Sequence, residues 1–157
     1  MGSIGVIAGD IEGVHFTPLR QIRDERGSVM RMMRADDAAF EGFGEVYFST
    51  VKAGTVKAWK RHLRMIQNLA VPVGSVRFVI YDGRPDSPTC GAVQEIVNGA
   101  NYYGLLRIPP LVWYGFEGIG DGEALIANCA SLPHDPAEVE RLPERSAAIP
   151  YSWGLQR

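Results

Sequence analysis

The sequence predicts an all-β domain, a sandwich or barrel of short antiparallel strands. Three observations lead there. Glycine (18) and proline (10) are spread along the whole 157-residue chain, so turns recur throughout. Between the turns lie short runs rich in Val, Ile, Tyr and Phe, several with apolar and polar residues alternating. Helix signals are sparse by comparison. The length fits a single domain spanning residues 1–157, large enough to bury a core without staples.

The strands are expected in order at "HFTPLRQI" (15–22), "GSVMRMM" (27–33), "GEVYFSTV" (44–51), "TVKAWKRH" (55–62) and "QNLAVPV" (67–73). They continue at "SVRFVIYD" (75–82), "AVQEIVN" (92–98), "NYYGLLRI" (101–108), "LVWYGF" (111–116) and "EALIANCA" (123–130). Turn signals separate most of them: "ERG", "AG", "VG", "DGRPDSP", "NGAN", "PP" and "GIGDG". One or two short helices are expected. "HDPAEVERL" offers Asp135 as N-cap and Pro136 at the first helical position. "ADDAAFEGF" offers an end at Gly42 or Gly44.

Composition excludes several function classes. A net charge of −2 gives no basis for a nucleic-acid or membrane partner. No apolar run reaches the roughly 18 residues of a membrane helix. The opening "MGSIGVIAGDIEGVHF" lacks the basic start and long apolar run of a secretory leader, so a cytoplasmic location is expected. Cys90 and Cys129 show no CxxC spacing and read as two buried thiols in a reducing compartment. His15 and His134 lie in loop-like stretches and read as structural or solvated.

Residues 53–74, "AGTVKAWKRHLRMIQNLAVPVG", carry the functional signal. On strict strand alternation Val56, Ala58, Lys60 and His62 share one face, and Thr55, Lys57, Trp59 and Arg61 the other. In the next strand Gln67, Leu69, Val71 and Val73 share a face. Alternation alone leaves open which face is inward, since both carry charge.

The spacing of this stretch resembles the first cupin motif: Gly, five residues, His-x-His, three or four residues, Glu, six residues, Gly. Gly54 and Gly74 bracket it, with Lys60 in the first His place, His62 in the second and Gln67 in the Glu place. "GLLRIPPLVWYGF" echoes the second cupin motif, with Gly104, Pro110, and Tyr114 in the place of its third His. Within the cupins, "DERG" (24–27), "YDGRPDSPTCG" (81–91), "IPPLVWYGF" (108–116) and "IPYSW" (149–153) resemble segments of the dTDP-4-dehydrorhamnose 3,5-epimerase family in that order. The resemblance covers about residues 14–153. It implies a cupin double-stranded β-helix, or jelly roll. It also implies a homodimer whose N-terminal strand crosses over, and a nucleotide-sugar substrate.

The departures fall at the chemistry. The family's catalytic His is Lys60 here, its substrate-binding Lys falls at Gln67, and its Tyr falls near Ala127 or Asn128. Its Asp partner lies beyond the closing segment. The related 3,4-ketoisomerases use a His-x-His pair whose second member matches His62. With Lys60, Gln67 and Tyr114 in the metal positions, no metal and no other cofactor are expected, because transition metals want imidazole, thiolate or carboxylate ligands.

The expected reaction is metal-independent epimerisation or isomerisation of a nucleotide-linked 4-keto-6-deoxysugar. A base removes the acidic proton beside the ketone and a positive group holds the enolate. His62 is assigned as base, since its reference pKa suits neutral pH. Lys60 is the electrostatic stabiliser, and Tyr114 returns a proton. Substrate binding is assigned to Arg26 near the nucleotide, Glu45 and Tyr47 on the pocket-facing side of their strand, Lys57 on a diphosphate if its strand bulges, Gln67 and Asn128. A Glu45–Lys60 pair would keep Lys60 charged. The alternatives are a non-catalytic nucleotide-sugar-binding cupin, or an isomerase or lyase of another carbonyl substrate.

Overall fold

A computed structural model describes residues 10–154. The first nine residues of the stretch read above for a leader lie outside it. Among the described residues twelve strands form two five-stranded antiparallel sheets and a hairpin. In chain order they are β1 (His15–Pro18), β2 (Gln21–Asp24), β3 (Gly27–Met30), β4 (Glu45–Val51), β5 (Val56–His62) and β6 (Gln67–Val73). There follow β7 (Ser75–Tyr81), β8 (Val93–Gly99), β9 (Gly104–Ile108), β10 (Trp113–Ile119), β11 (Ala124–Ala130) and β12 (Val139–Arg141). The first sheet runs β1-β9-β6-β11-β4 and the second β12-β5-β10-β7-β8, the two halves of a cupin jelly roll. β2 and β3 pair only with each other.

The expected strands are all present, with "HFTPLRQI" divided between β1 and β2. Gly54 and Gly74 flank the β5–β6 segment with φ of +78° and +82°, a left-handed conformation that glycine adopts without strain. At Gly74 a Cβ would also stand 2.6 Å from the Cα of Ala124.

Among the described residues helix is reduced to one 3₁₀ turn, Pro136–Glu138, capped by Asp135, whose side chain accepts from the Ala137 amide at 3.0 Å. The remainder of "HDPAEVERL" is strand β12, because its backbone pairs with β5 instead of closing further helical turns. "ADDAAFEGF" forms turns, not a helix.

The inward faces of the two sheets supply the main core, including Val71, Val76, Phe78, Ile80, Leu106 and Ile126, all nearly inaccessible. A second cluster covers the outer face of the second sheet. There the C-terminal segment lays Ile149 and Trp153 against Trp59, Val79 and Trp113. Trp59 stacks 5.3 Å from Trp153 and donates its indole N–H to the Glu144 carbonyl at 3.1 Å. Its polar edge is thereby satisfied inside an apolar layer. Cys129 is buried, whereas Cys90 is exposed in the loop between β7 and β8, contrary to the sequence expectation. The loop is folded around Asp82, and that leaves the Cys90 side chain outside.

Candidate active site

The two sheets enclose a cavity of about 270 Å³ near the edge where β4, β5 and β12 lie. One wall belongs to β5, β10 and β12, the other to β4, β6 and β11.

The β5 wall depends on an irregularity. Between Tyr114 and Phe116 the partner strand advances two residues, while β5 advances three, from Lys60 to Lys57. The extra residue is a β-bulge. Tyr114 and Phe116 share a face, so their partners Lys60 and Lys57 do too, and all four line the cavity. On the other side of β5, Arg141 of β12 stands opposite Lys60. Lys60 therefore lies between Tyr114 and Arg141, with Nζ 5.9 Å from the centre of the Tyr114 ring. On the outer face Arg61 pairs with Glu140 and lies over the Trp113 ring.

Among the described residues every charged side chain lining the cavity is basic: Lys57, Lys60 and Arg141. Lys57 gives a hydrogen bond to the Thr50 carbonyl at 2.6 Å. Among the described residues no carboxylate pairs with Lys60. Glu45 sits at the start of β4, opposite Ala130, and is not among the lining residues. The expected Glu45–Lys60 pair is thus not formed. Burial pushes the Lys60 pKa below the usual lysine range, and repulsion from Arg141 and Lys57 adds to it.

His62 is 6% exposed and is not on the cavity wall. Its Nδ1 is 2.8 Å from Oε1 of Glu138, while Oε2 of Glu138 accepts the Arg64 and Met65 amides at 2.7 and 2.6 Å. Nε2 is buried without a partner. Burial lowers the His62 pKa more than Glu138 raises it, so the ring is neutral with Nδ1–H donating to the carboxylate. For Glu138, burial alone would raise the pKa. The bonds from His62, Arg64 and Met65 outweigh it and hold the carboxyl below its ordinary value. His62 was expected to meet substrate as the base; it stands off the cavity wall, and its bond to Glu138 joins β5 to the 3₁₀ turn.

The opposite wall carries Tyr47, Ser49, Leu69, Ile126 and Asn128. Asn128, 1% exposed, stands between Leu69 of β6 and Tyr47 of β4. Gln67 is buried between the sheets, where its Oε1 accepts from Asn128 Nδ2 and, at 3.4 Å, from the Tyr114 hydroxyl. Burial drives the Tyr114 pKa far above the ordinary tyrosine range. Arg26 is at the tip of the β2–β3 hairpin, paired with Asp24 and away from the cavity lining.

The structure thus gathers Lys57, Lys60, Tyr47, Asn128 and Tyr114 around one cavity, with Gln67 bonded behind Asn128 and Tyr114. It leaves Arg26, Glu45 and His62 off the cavity wall. Sequence reasoning missed Arg141 and Glu138, both in "AEVERL". The strand there is only three residues long, Val139–Arg141, so no periodicity marked it. Among the described residues no three His, Cys, Asp or Glu side chains converge as metal ligands would.

No family model matches the chain. It is similar to a crystal structure of a dTDP sugar isomerase from Desulfovibrio desulfuricans G20, at 51% identity and a TM-score of 0.90, covering 91% of this chain and 92% of that one. It is 34% identical over 151 residues to "Probable low-salt glycan biosynthesis epimerase Agl13" of Haloferax volcanii, covering 94% of this chain and 97% of that protein. A dTDP-4-dehydrorhamnose 3,5-epimerase from Bacillus anthracis shares the fold, with a TM-score of 0.82 at 17% identity, over 95% of this chain and 89% of that one.

Proposed function

Because the chain belongs to the dTDP-4-dehydrorhamnose 3,5-epimerase-like family of the cupin superfamily, we propose that it epimerises or isomerises a nucleotide-linked 4-keto-6-deoxysugar. The name of the Haloferax volcanii relative, a glycan biosynthesis epimerase, supports a role in the supply of sugars for glycan synthesis. The observation that carries the reading is the cavity lined by Lys57, Lys60 and Arg141 with no acidic residue. Such a wall favours a substrate bearing phosphate and a transition state with charge developing on a ketone oxygen.

Lys60 is the base in this reading. It lines the cavity, and burial together with the charges of Arg141 and Lys57 lowers the cost of the neutral amine, which can accept a proton. Arg141, adjacent to Lys60 and always charged, takes over the role of holding the enolate. Lys57 meets the diphosphate. His62 and Glu138 position β12, and so Arg141. No step in this scheme calls on a metal or other cofactor.

The reading includes a homodimer. Phe48 and Val46 on the edge strand β4, and Ile22 and Val29 on the β2–β3 hairpin, are exposed apolar side chains that a second copy would cover. Exchange of the hairpin between copies is what would bring Arg26 to a nucleotide. A cytoplasmic location suits the unpaired thiols of Cys90 and Cys129.

The test is incubation with dTDP-, GDP- and CDP-4-keto-6-deoxysugars in D₂O, followed by NMR. Deuterium should enter beside the ketone of at least one of them. Binding of the nucleotide sugars without any exchange would sink the enzyme reading in favour of a binding module.

A further inference from the structure

We propose that Tyr47 is the acid that returns the proton to the substrate carbon, aimed by a hydrogen-bond chain whose polarity is fixed from the backbone outward. The proposal rests on the epimerase reading of the same cavity. The chain starts at the Asn68 amide, which donates to Asn128 Oδ1 at 3.2 Å. An amide side chain accepts only through oxygen and donates only through nitrogen, so this contact sets the orientation of Asn128. Its Nδ2 donates to Gln67 Oε1 and to the Tyr47 hydroxyl oxygen, the latter at 3.0 Å. Both protons of Nδ2 are then used. The Tyr47 oxygen is an acceptor in its bond to Asn128, so its own proton points elsewhere. Tyr47 makes no other side-chain hydrogen bond among the described residues, and the ring lines the cavity.

The placement completes the case. Inverting a carbon requires the proton to leave on one side and its replacement to arrive on the other. Lys60 is on β5 in the second sheet, and Tyr47 is on β4 in the first, so the two groups reach the cavity from opposite walls. Tyr114 cannot serve in this way. It is the direct cross-strand neighbour of Lys60, on the same wall, and its hydroxyl proton is directed at Gln67.

The step balances as follows. The neutral Lys60 amine takes the proton beside the ketone, and the C–H electrons form a C=C bond as the ketone becomes an enolate. The enolate re-forms C=O while the carbon takes the Tyr47 hydroxyl proton from the far side. The Tyr47 phenolate regains a proton from water and the Lys60 ammonium returns one to water. The product is the inverted sugar with one substrate hydrogen exchanged for a solvent hydrogen.

Two variants test it, with dTDP-4-keto-6-deoxyglucose as probe in D₂O. Tyr47→Phe keeps the ring and removes the proton. It should cut formation of inverted product about 100-fold or more. Deuterium exchange with retained configuration should persist within about 10-fold of wild type, because Lys60 still opens and closes the enolate. Asn128→Asp keeps the shape and reverses the polarity: the new carboxylate accepts the Tyr47 proton and draws it from the cavity. Gln67 can rotate its unpartnered Nε2 toward the new acceptor, so the fold should hold, as a circular dichroism spectrum would verify. Asn128→Asp should show the same split between exchange and inversion. Tyr47→Phe inverting at the wild-type rate, or losing exchange and inversion equally, overturns the role of Tyr47. A wild type that neither exchanges nor inverts this probe or its GDP and CDP counterparts refutes the epimerase reading itself.

Discussion

Glu138→Ala should be among the most destabilising single changes in this chain. Glu138 is 3% exposed and accepts three hydrogen bonds, from His62 Nδ1–H and from the Arg64 and Met65 amides. Alanine leaves all three donors without their acceptor. An orphaned buried donor costs about 1–3 kcal/mol. Met65 and His62 are buried, and the bond from the amide of exposed Arg64 is half-buried, which suggests a total of about 3–5 kcal/mol, the range for breaking a buried charged contact. For a domain of this size each kcal/mol lowers Tm by about 2–4 °C, so the melting point should fall by about 10 °C. Glu138→Gln should cost less, about 1–2 kcal/mol. Its carbonyl can still serve the amides, and its NH₂ can donate to Nδ1 once the His62 proton moves to Nε2. Urea unfolding at fixed protein concentration would measure both, read as a change in midpoint at constant slope. A loss below about 1 kcal/mol for Glu138→Ala would refute the reasoning. The same contact sets an acid dependence. Both pKa values are lowered on folding, so the unfolded chain binds more protons as pH falls. The His62 contribution is complete above about pH 6.5 and declines below it; the Glu138 contribution declines below about pH 4.5. In Glu138→Gln the part of the loss below about pH 4.5 should vanish, whereas the His62 part should grow, because burial lowers the His62 pKa and Glu138 opposes that.

Lys60→Met and Lys60→Arg should both lose about 100-fold or more in turnover, since arginine cannot act as a base near neutral pH; substantial activity in Lys60→Arg would return Lys60 to an electrostatic role. The rate should rise with pH through a lysine pKa below the ordinary range, and Arg141→Gln should move that rise to higher pH by removing a like charge; an unmoved pH profile would refute the coupling. Asp82→Asn should cost about 3–4 kcal/mol in urea unfolding, because buried Asp82 takes a two-pronged contact from Arg84 as well as bonds from Ser87 and Thr89. Phe48→Glu should shift the protein to monomer by light scattering if the apolar face of β4 is the dimer contact; an unchanged mass would place that contact elsewhere.

Most of the fold was legible because local signals and tertiary structure agree. Each main strand is bounded by a turn residue in the required conformation, as at Gly54 and Gly74, and the motif spacing placed β5 and β6 correctly. β12 was not legible. Three residues give no periodicity, and the Asp135–Pro136 cap is as good a start for a 3₁₀ turn as for a helix. What makes β12 a strand is the free edge of β5, which lies far away in sequence. Missing β12 hid Arg141 and Glu138. It also left His62 without a visible partner, so that its pKa alone recommended it as a base. Tyr47 was read as pocket-lining. The direction of its proton depends on Asn68, Asn128 and Gln67 together, and no sequence pattern encodes that polarity.

The bulge in β5 makes the cavity wall sensitive to how β5 pairs with β10, in a way that residue identity does not capture. Were β5 to pair with β10 at its present length but without the extra residue, strict alternation would carry one of the two lysines to the Trp59 side, against the tryptophan layer. Every functional side chain would still be present in the gene, yet the positive lining would be divided between two compartments. Grafting this site onto another barrel of the family would succeed only if the spacing travelled with the residues.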